Sequence, residues 1–332
     1  MKKNFCLLLS TTLMLSGTLL TTSCSNKEQI LIYTTSEEER NAFYQEELNK
    51  QFPDYEIIIQ YSGTGALVSK MQGEGINTEC DIILELEANN MELLLTQNDN
   101  FFADLSDYDF SQFTDTAISY GHKKYAPTCI TYGAVFYNEK VLREKDLSAP
   151  TTYADLLDPK YKGLISMPNP KSSGTGYLFY NGLVSLIGED AGLDYYNRLN
   201  SNISEFTSSG SAPIKAVNRG EIGIGLGMLW QAVLYSKTNS DIKYTFLDQG
   251  VPLNLYCMAM INGHEKRKCV KEVFDYVFNT LNKKDCEKFL PDPIYKDYTP
   301  EDSEYPVNVP TIDMKGLFDP DYKANLLDKW TL

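Results

Sequence analysis

Three short stretches rich in serine and glycine carry most of the chemistry that this chain offers: Ser62-Gly63-Thr64-Gly65, Ser172-Ser173-Gly174-Thr175-Gly176 and Ser208-Ser209-Gly210-Ser211. Each opens a helical pattern. Hydroxyls and main-chain N–H groups are thereby set at the positive end of a helix, where the first-turn N–H groups have no partner of their own. Glycine lets the main chain come close to an oxyanion. The combination can hold a phosphate, phosphonate or sulfate by neutral donors. A single loop of this kind is ordinary helix capping. Lys171 and Lys215 flank two of the loops, positions where a lysine is ordinarily a solvated side chain.

Other chemistry is sparse. Glu85 and Glu87 stand near the carboxyl end of CDIILELE, where a carboxylate could face a ligand's cation or be sent to solvent by strand alternation. Trp230 could form an aromatic wall or fill a core. There is no G-x-S-x-G, H-E-x-x-H or G-x-x-x-x-G-K-[ST] pattern, and GTGALVSK has the wrong spacing for the last. With only His122 and His264 as histidines, a secreted enzyme would rest on carboxylates alone, and nothing in the spacing of Glu85 and Glu87 singles them out. No cysteine pair has the C-x-x-C spacing of a zinc or redox site, so neither metal nor cofactor is expected.

The elements that must position these loops alternate between strand and helix. ILIYTT reads as a strand ending at Thr35, and SEEERNAFYQEELNKQF as a helix with Ser36 as its N-cap. YEIIIQY, CDIILELE, LISM and IGIGLGM are further strands, with helices after the Ser/Gly loops. YLFYNGLVSLIGEDAGLDYYNRL gives two helices separated at 188–192, and HEKRKCVKEVFDYVFNTLN has helical period. Such alternation predicts α/β lobes with mainly parallel sheets, whose ligands lie outside the carboxyl ends of the strands.

The run from Pro150 to Tyr177, PTTYADLLDPKYKG followed by LISMPNPKSSGTGY, resembles bacterial extracellular solute-binding proteins of the ferric-iron, thiamine and phosphonate type, the receptors of ABC importers. The resemblance implies a type II periplasmic-binding-protein fold, two α/β lobes joined by two hinge crossings. Residues 30–130 with 248–290 would form one lobe, and 131–247 with 291–332 the other. Three Ser/Gly loops stand where the family uses them, one from the first lobe and two from the second. The implied ligand-binding set is Thr35, Ser36, Ser62, Gly63, Thr64, Gly65, Glu85, Ser172, Ser173, Gly174, Thr175, Ser209, Gly210, Ser211 and Trp230. The expected solute is small, anionic or zwitterionic, and carries a phosphate or phosphonate: a sugar phosphate, an aminophosphonate or a thiamine phosphate. Its partners would be a permease and its ATPase, met by a monomer. In the iron branch, adjacent tyrosines follow the segment matching NRGEIGIGLG. Here that place reads Met228-Leu229-Trp230, which argues against the ferric alternative, and Tyr195-Tyr196 fall in a helical pattern upstream.

The chain opens on Lys2 and Lys3, an apolar run from Phe5 to Leu20, and LTTSC ending at Cys24. This is the pattern of an export signal over residues 1–23 and a loose lipidation site at Cys24, with 24–29 as tether. The expected place is the cell envelope, in the periplasm or on the outer face of the cytoplasmic membrane, with membrane contact through the lipid alone. Without 1–23 the chain carries 28 basic and 45 acidic residues, a net −17, a surface that repels nucleic acid. An anion must then be held by local dipoles. Cys80, Cys129, Cys257, Cys269 and Cys286 are odd in number and read as small buried hydrophobes.

Overall fold

The computed structural model describes residues 27–290, 294–298, 305–306 and 309–332. The expected export segment and Cys24 lie outside them. Among the described residues no helix is long and apolar enough to cross a membrane.

Nine strands form one continuous sheet in the order β2-β1-β3-β9-β4-β7-β5-β6, with β8 also paired to β4. They are β1 (Glu28–Thr34), β2 (Tyr55–Tyr61), β3 (Ile82–Glu87), β4 (Ala126–Asn138), β5 (Ile165–Pro168), β6 (Ile203–Thr207), β7 (Ile224–Met228), β8 (Ile242–Thr245) and β9 (Leu253–Met260). In one half β1 runs parallel to β2 and β3, and in the other β5 runs parallel to β6 and β7. The sheet is less parallel than the sequence predicts, because β3–β9, β4–β9, β4–β7 and β4–β8 are antiparallel. The reason is topological. β4 and β9 carry the chain between the halves, and each runs against the strands that it joins.

The 13 residues of β4 belong to both halves. Pairing with β9 ends at Tyr132, and pairing with β7 begins at Gly133. A side chain at 133 would lie 2.9 Å from Phe179 and Pro252, so glycine is required where the pairing changes. The chain makes its second crossing as it leaves β8, paired to the later part of β4, and enters β9, paired to β3 and the earlier part of β4.

Two main apolar cores lie under the halves. The first is built on β1, β3 and β9 and includes Ile32, Ile83, Phe101 and Phe278; the second, on β5 and β7, includes Met167, Tyr180, Leu226 and Trp330. The terminal segment divides between them. Ile294, Tyr295 and Tyr305 pack into the first, whereas Ile312 and Leu326 pack into the second, so residues after 290 do not all join the second half. Met228, Leu229 and Trp230 also reach into the first core. All five cysteines from Cys80 onward are buried and free, as expected of small apolar side chains.

Three local details differ from the sequence reading. The first helix runs Glu38–Gln51 with Glu37, rather than Ser36, at the N-cap. The break after Ile187 is confined to Gly188, at φ 89°, and Gly192 lies inside the helix Glu189–Leu199 against Val184. The helical stretch after His264 starts at Lys268 and passes through a π-turn at Val277–Leu281.

Candidate functional site

The carboxyl ends of six strands meet where the halves face each other. Residues from the ends of β1, β2, β3, β5, β6 and β7 line one cavity of about 30 Å3. That is room for about two water molecules, so the cleft is nearly shut. Each Ser/Gly loop opens a helix, as its composition predicts: Thr64–Glu74, Gly174–Ile187 and Ala212–Asn218.

The halves touch through both side chains and main chain. The Gly174 N–H donates to Thr64 Oγ1 across the cleft at 3.2 Å, and Lys215 Nζ reaches Glu38 at 3.0 Å. Gly63 and Gly65 lie against the carbonyl groups of Ser172 and Lys171; a Cβ at these glycines would sit 3.3 and 2.6 Å from the carbonyl oxygens. Two of the three loops therefore meet each other.

Of the residues expected to bind ligand, Thr35, Ser36, Gly63, Thr64 and Glu85 line the cavity from one half. Ser172, Ser173, Gly174, Thr175, Ser209, Gly210 and Trp230 line it from the other. Ser62, Gly65 and Ser211 do not. The Ser62 N–H extends the sheet by donating to the Thr34 carbonyl at 3.0 Å, Gly65 faces a neighbouring chamber, and Ser211 turns to Ser209 and Glu37.

The hydroxyls differ in what they have left to give. Thr35 donates to the Glu85 carbonyl, and Ser173 caps its helix by accepting from the Gly176 N–H at 3.4 Å. Ser36 Oγ is buried at the cavity and has no hydrogen-bond partner among the described residues. A buried hydroxyl without a partner costs free energy unless something completes it.

Glu85 lines the cavity, but its carboxylate is not the free acid expected for a ligand's cation. Arg40 grips it with Nη1 at 2.8 Å and Nη2 at 2.9 Å, while the other side of the guanidinium binds Asp285 at 3.0 and 3.1 Å through Nε. Cys129 Sγ donates to the same carboxylate at 3.2 Å. Glu87 turns away to Thr64 at 3.2 Å and Asn90 at 2.7 Å. The carboxylate that does face the site is Glu37, at the mouth of the third loop beside Gly210.

Burial pushes Glu37 up to about 7; its hydrogen bond to Ser211, Lys215 and Arg40 pull it down, and Glu39 pushes it further up. Asp285 is also pushed up, to about 6, by burial against the pull of Arg40. Between the ordinary carboxylate range and these values the folded chain holds protons that the unfolded chain has lost. Stability therefore falls as pH rises through about 4 to 7. The portion above pH 6 is assigned to Glu37. Urea denaturation of Glu37→Gln should show a flatter slope from pH 6 to 7 than the parent, and an unchanged slope would place that titration elsewhere.

Sequence reasoning missed Glu37, Arg40, Tyr61, Thr131, Met228 and Tyr256, all of which line the cavity. One signal was present for Arg40. It is a cation in the first turn of a helix, where the macrodipole disfavours positive charge, and so must answer another demand. Met228 and Trp230, read from the sequence as standing in place of adjacent tyrosines, both line the cavity. Tyr195 and Tyr196 are buried in the second core, the former donating to the Tyr153 carbonyl at 2.7 Å. Among the described residues no group of three or more His, Cys, Asp or Glu is placed to hold a metal.

The family model described as bacterial extracellular solute-binding protein matches residues 80–313. A Salmonella typhimurium protein named as a putative 2-aminoethylphosphonate-binding periplasmic protein is 25% identical over 279 residues, 80% of this chain and 78% of that one. An uncharacterized Haemophilus influenzae protein is 25% identical over 206 residues, 61% of this chain but only 59% of its own length. The solved periplasmic binding protein AfuA from Actinobacillus pleuropneumoniae, with exogenous fructose-6-phosphate bound, superposes with a TM-score of 0.80 at 21% identity. That match covers 92% of this chain and 98% of AfuA, and it identifies the fold as type II periplasmic-binding-protein.

Proposed function

Because this chain belongs to the bacterial extracellular solute-binding proteins, we propose that it captures a small solute bearing a phosphate or phosphonate in the interlobe cleft. In this reading it is the receptor of an ABC importer, exported, held to the membrane by a lipid on Cys24, and hands its solute to a permease with its ATPase. Residues 30–130 with 248–290 and residues 131–247 with most of the terminal segment act as the two closing lobes.

The observation that carries the reading is convergence: loops of neutral donors from both halves end at one cavity, with the Ser36 hydroxyl left unsatisfied there. Ser173 adds a hydroxyl whose oxygen only accepts, from the Gly176 N–H, and Thr64 and Gly174, bonded to each other, line the same cavity. An amine on the solute would meet Glu37, whose carboxylate has no cation within ion-pair distance among the described residues, unlike Glu85. A zwitterion such as an aminophosphonate satisfies both features. The names of the Salmonella and Actinobacillus proteins, one for an aminophosphonate and one with a sugar phosphate bound, fit the same class.

Native mass spectrometry on the chain from Ser25 onward, purified without phosphate, tests this directly. A phosphorus-containing organic adduct is the expected result, and an iron mass would overturn the reading. Calorimetric titration with 2-aminoethylphosphonate and fructose 6-phosphate then tests the donors. Ser36→Ala, Thr64→Ala and Ser173→Ala should each weaken binding by about 1–2 kcal/mol. Ser36→Ala should do so with no loss of thermal stability, since its hydroxyl has no partner to lose among the described residues. Unchanged affinity in all three would remove the loops from the binding site.

A further inference from the structure

Beside the central cavity, on the far side of the Thr64–Gly174 contact, lies a second chamber of about 490 Å3. Thr64, Ser172, Ser173 and Gly174 line both spaces, so one hydrogen bond and these four residues divide them. The chamber's floor comes from the helix Ala88–Gln97 and its roof from the C-terminal helix Pro320–Lys329. Much of its wall is apolar, from Val68, Leu93 and Leu327.

Two donors in that wall are unusual. Lys323 is only 8% exposed, yet its ammonium has no ion-pair partner among the described residues. It contacts Asn89 Oδ1 at 3.3 Å and lies 4.6 Å above the centre of the Tyr177 ring. Asn89 is 1% exposed, and its Nδ2 has no partner at all among the described residues. The nearest acid, Glu87, is already held by Thr64 and Asn90. Burial alone pushes the Lys323 ammonium below its ordinary value, with Glu87 opposing. A buried cation beside an unfilled amide donor is costly to fold around, and an incoming anion would satisfy both.

We infer that this chamber is a second anion seat, in which Lys323 and Asn89 take a carboxylate carried by the far end of the solute. The inference rests on the phosphonate reading of the central site. The ligand class becomes narrower: a phosphonate or phosphate joined through a short apolar linker to a carboxylate. The head would sit at the Ser/Gly loops, and the linker would take the place of the Thr64–Gly174 hydrogen bond that divides the two spaces, while Gly63 and Gly65 keep their seats against the carbonyl groups of Ser172 and Lys171.

Calorimetry with matched probes tests it. 3-Phosphonopropionate and 4-phosphonobutyrate are compared with propylphosphonate and butylphosphonate, using the chain from Ser25. At least one phosphonocarboxylate should bind about tenfold more tightly than its alkyl counterpart, the effect of one charge-assisted contact. Lys323→Met should erase that preference and leave alkylphosphonate affinity within about twofold. Its thermal midpoint without ligand should rise, because a buried unpaired charge is gone. Equal binding of the two series by the parent protein, or a preference that survives Lys323→Met, overturns the second seat alone. If neither series binds and inorganic phosphate does not either, the central anion site falls, and this inference falls with it. The comparison within the parent protein decides the matter even if the variant does not fold.

Discussion

Gly65→Ala should leave the ligand-free protein as stable as the parent or slightly more so, while weakening solute binding by about 100-fold. Gly65 is the second residue of the helix Thr64–Glu74 and its φ is not positive, so alanine suits the backbone there. In an open protein the change would contribute up to about 1 kcal/mol through helix propensity. In the closed protein the new Cβ would lie 2.6 Å from the Lys171 carbonyl oxygen, which belongs to the other half. That oxygen is main chain, beside a loop pinned by Asn169 and Pro170, and cannot swing aside as a side-chain tip would. Overpacking of this kind costs about 1–3 kcal/mol, and the upper end corresponds to about a hundredfold in affinity. Calorimetry gives the affinity, and small-angle scattering shows whether ligand still compacts the chain. Parental affinity together with full compaction would mean that the glycine seam does not limit closure.

Arg40→Met is expected to destabilise the fold by about 3–5 kcal/mol at pH 7. Arg40, Glu85 and Asp285 are 3%, 2% and 0% exposed, and the guanidinium is the only cation in ion-pair contact with either carboxylate among the described residues. Methionine fills similar volume but leaves two acids in a low-dielectric site with no counter-charge. They respond by holding protons, so the deficit should shrink as pH is lowered towards 5. Urea denaturation at the two pH values measures both effects. Glu85 lies at the cavity in a left-handed conformation, φ 60°, that the ion pair helps to hold. Solute affinity should therefore fall as well. Equal stability of variant and parent at pH 7 would show that solvent reaches the triad.

The Ser/Gly loops were legible in sequence because loop chemistry is local. Small residues, a following apolar helical pattern and a preceding strand suffice to place Thr64, Ser173 and Gly210 at helix openings. What was not legible depended on distance or on irregular backbone. Strand alternation could not say which way Glu85 points, since the pairing of β3 with β9 shifts register between Ile83 and Leu86 and Glu85 takes a positive φ. Its partner Arg40 is 45 residues away, and the other member of the triad is 245 residues from Arg40. Ser36 looked like an N-cap and proved to be an unsatisfied cavity hydroxyl, because the helix starts one residue later than composition suggests. Trp230 was open between wall and core, and it is both: it lines the cavity and packs edge-on against Phe289 at 6.0 Å. The mixed sheet followed from β4 and β9 as crossing strands, a global fact that no window of sequence contains.

The glycine seam also fixes what the closed receptor can report. Main chain pressed on main chain at Gly63 and Gly65, against the carbonyl groups of Ser172 and Lys171, has no rotamers through which to settle at intermediate widths. Closure thus ends at a hard stop, and its endpoint is the same for every solute that lets the stop be reached. A partner that recognises this endpoint receives a binary signal with no information about the cargo. Discrimination must be completed earlier, while the lobes are still apart, and a molecule too bulky for the stop is rejected as silence rather than as a weaker signal.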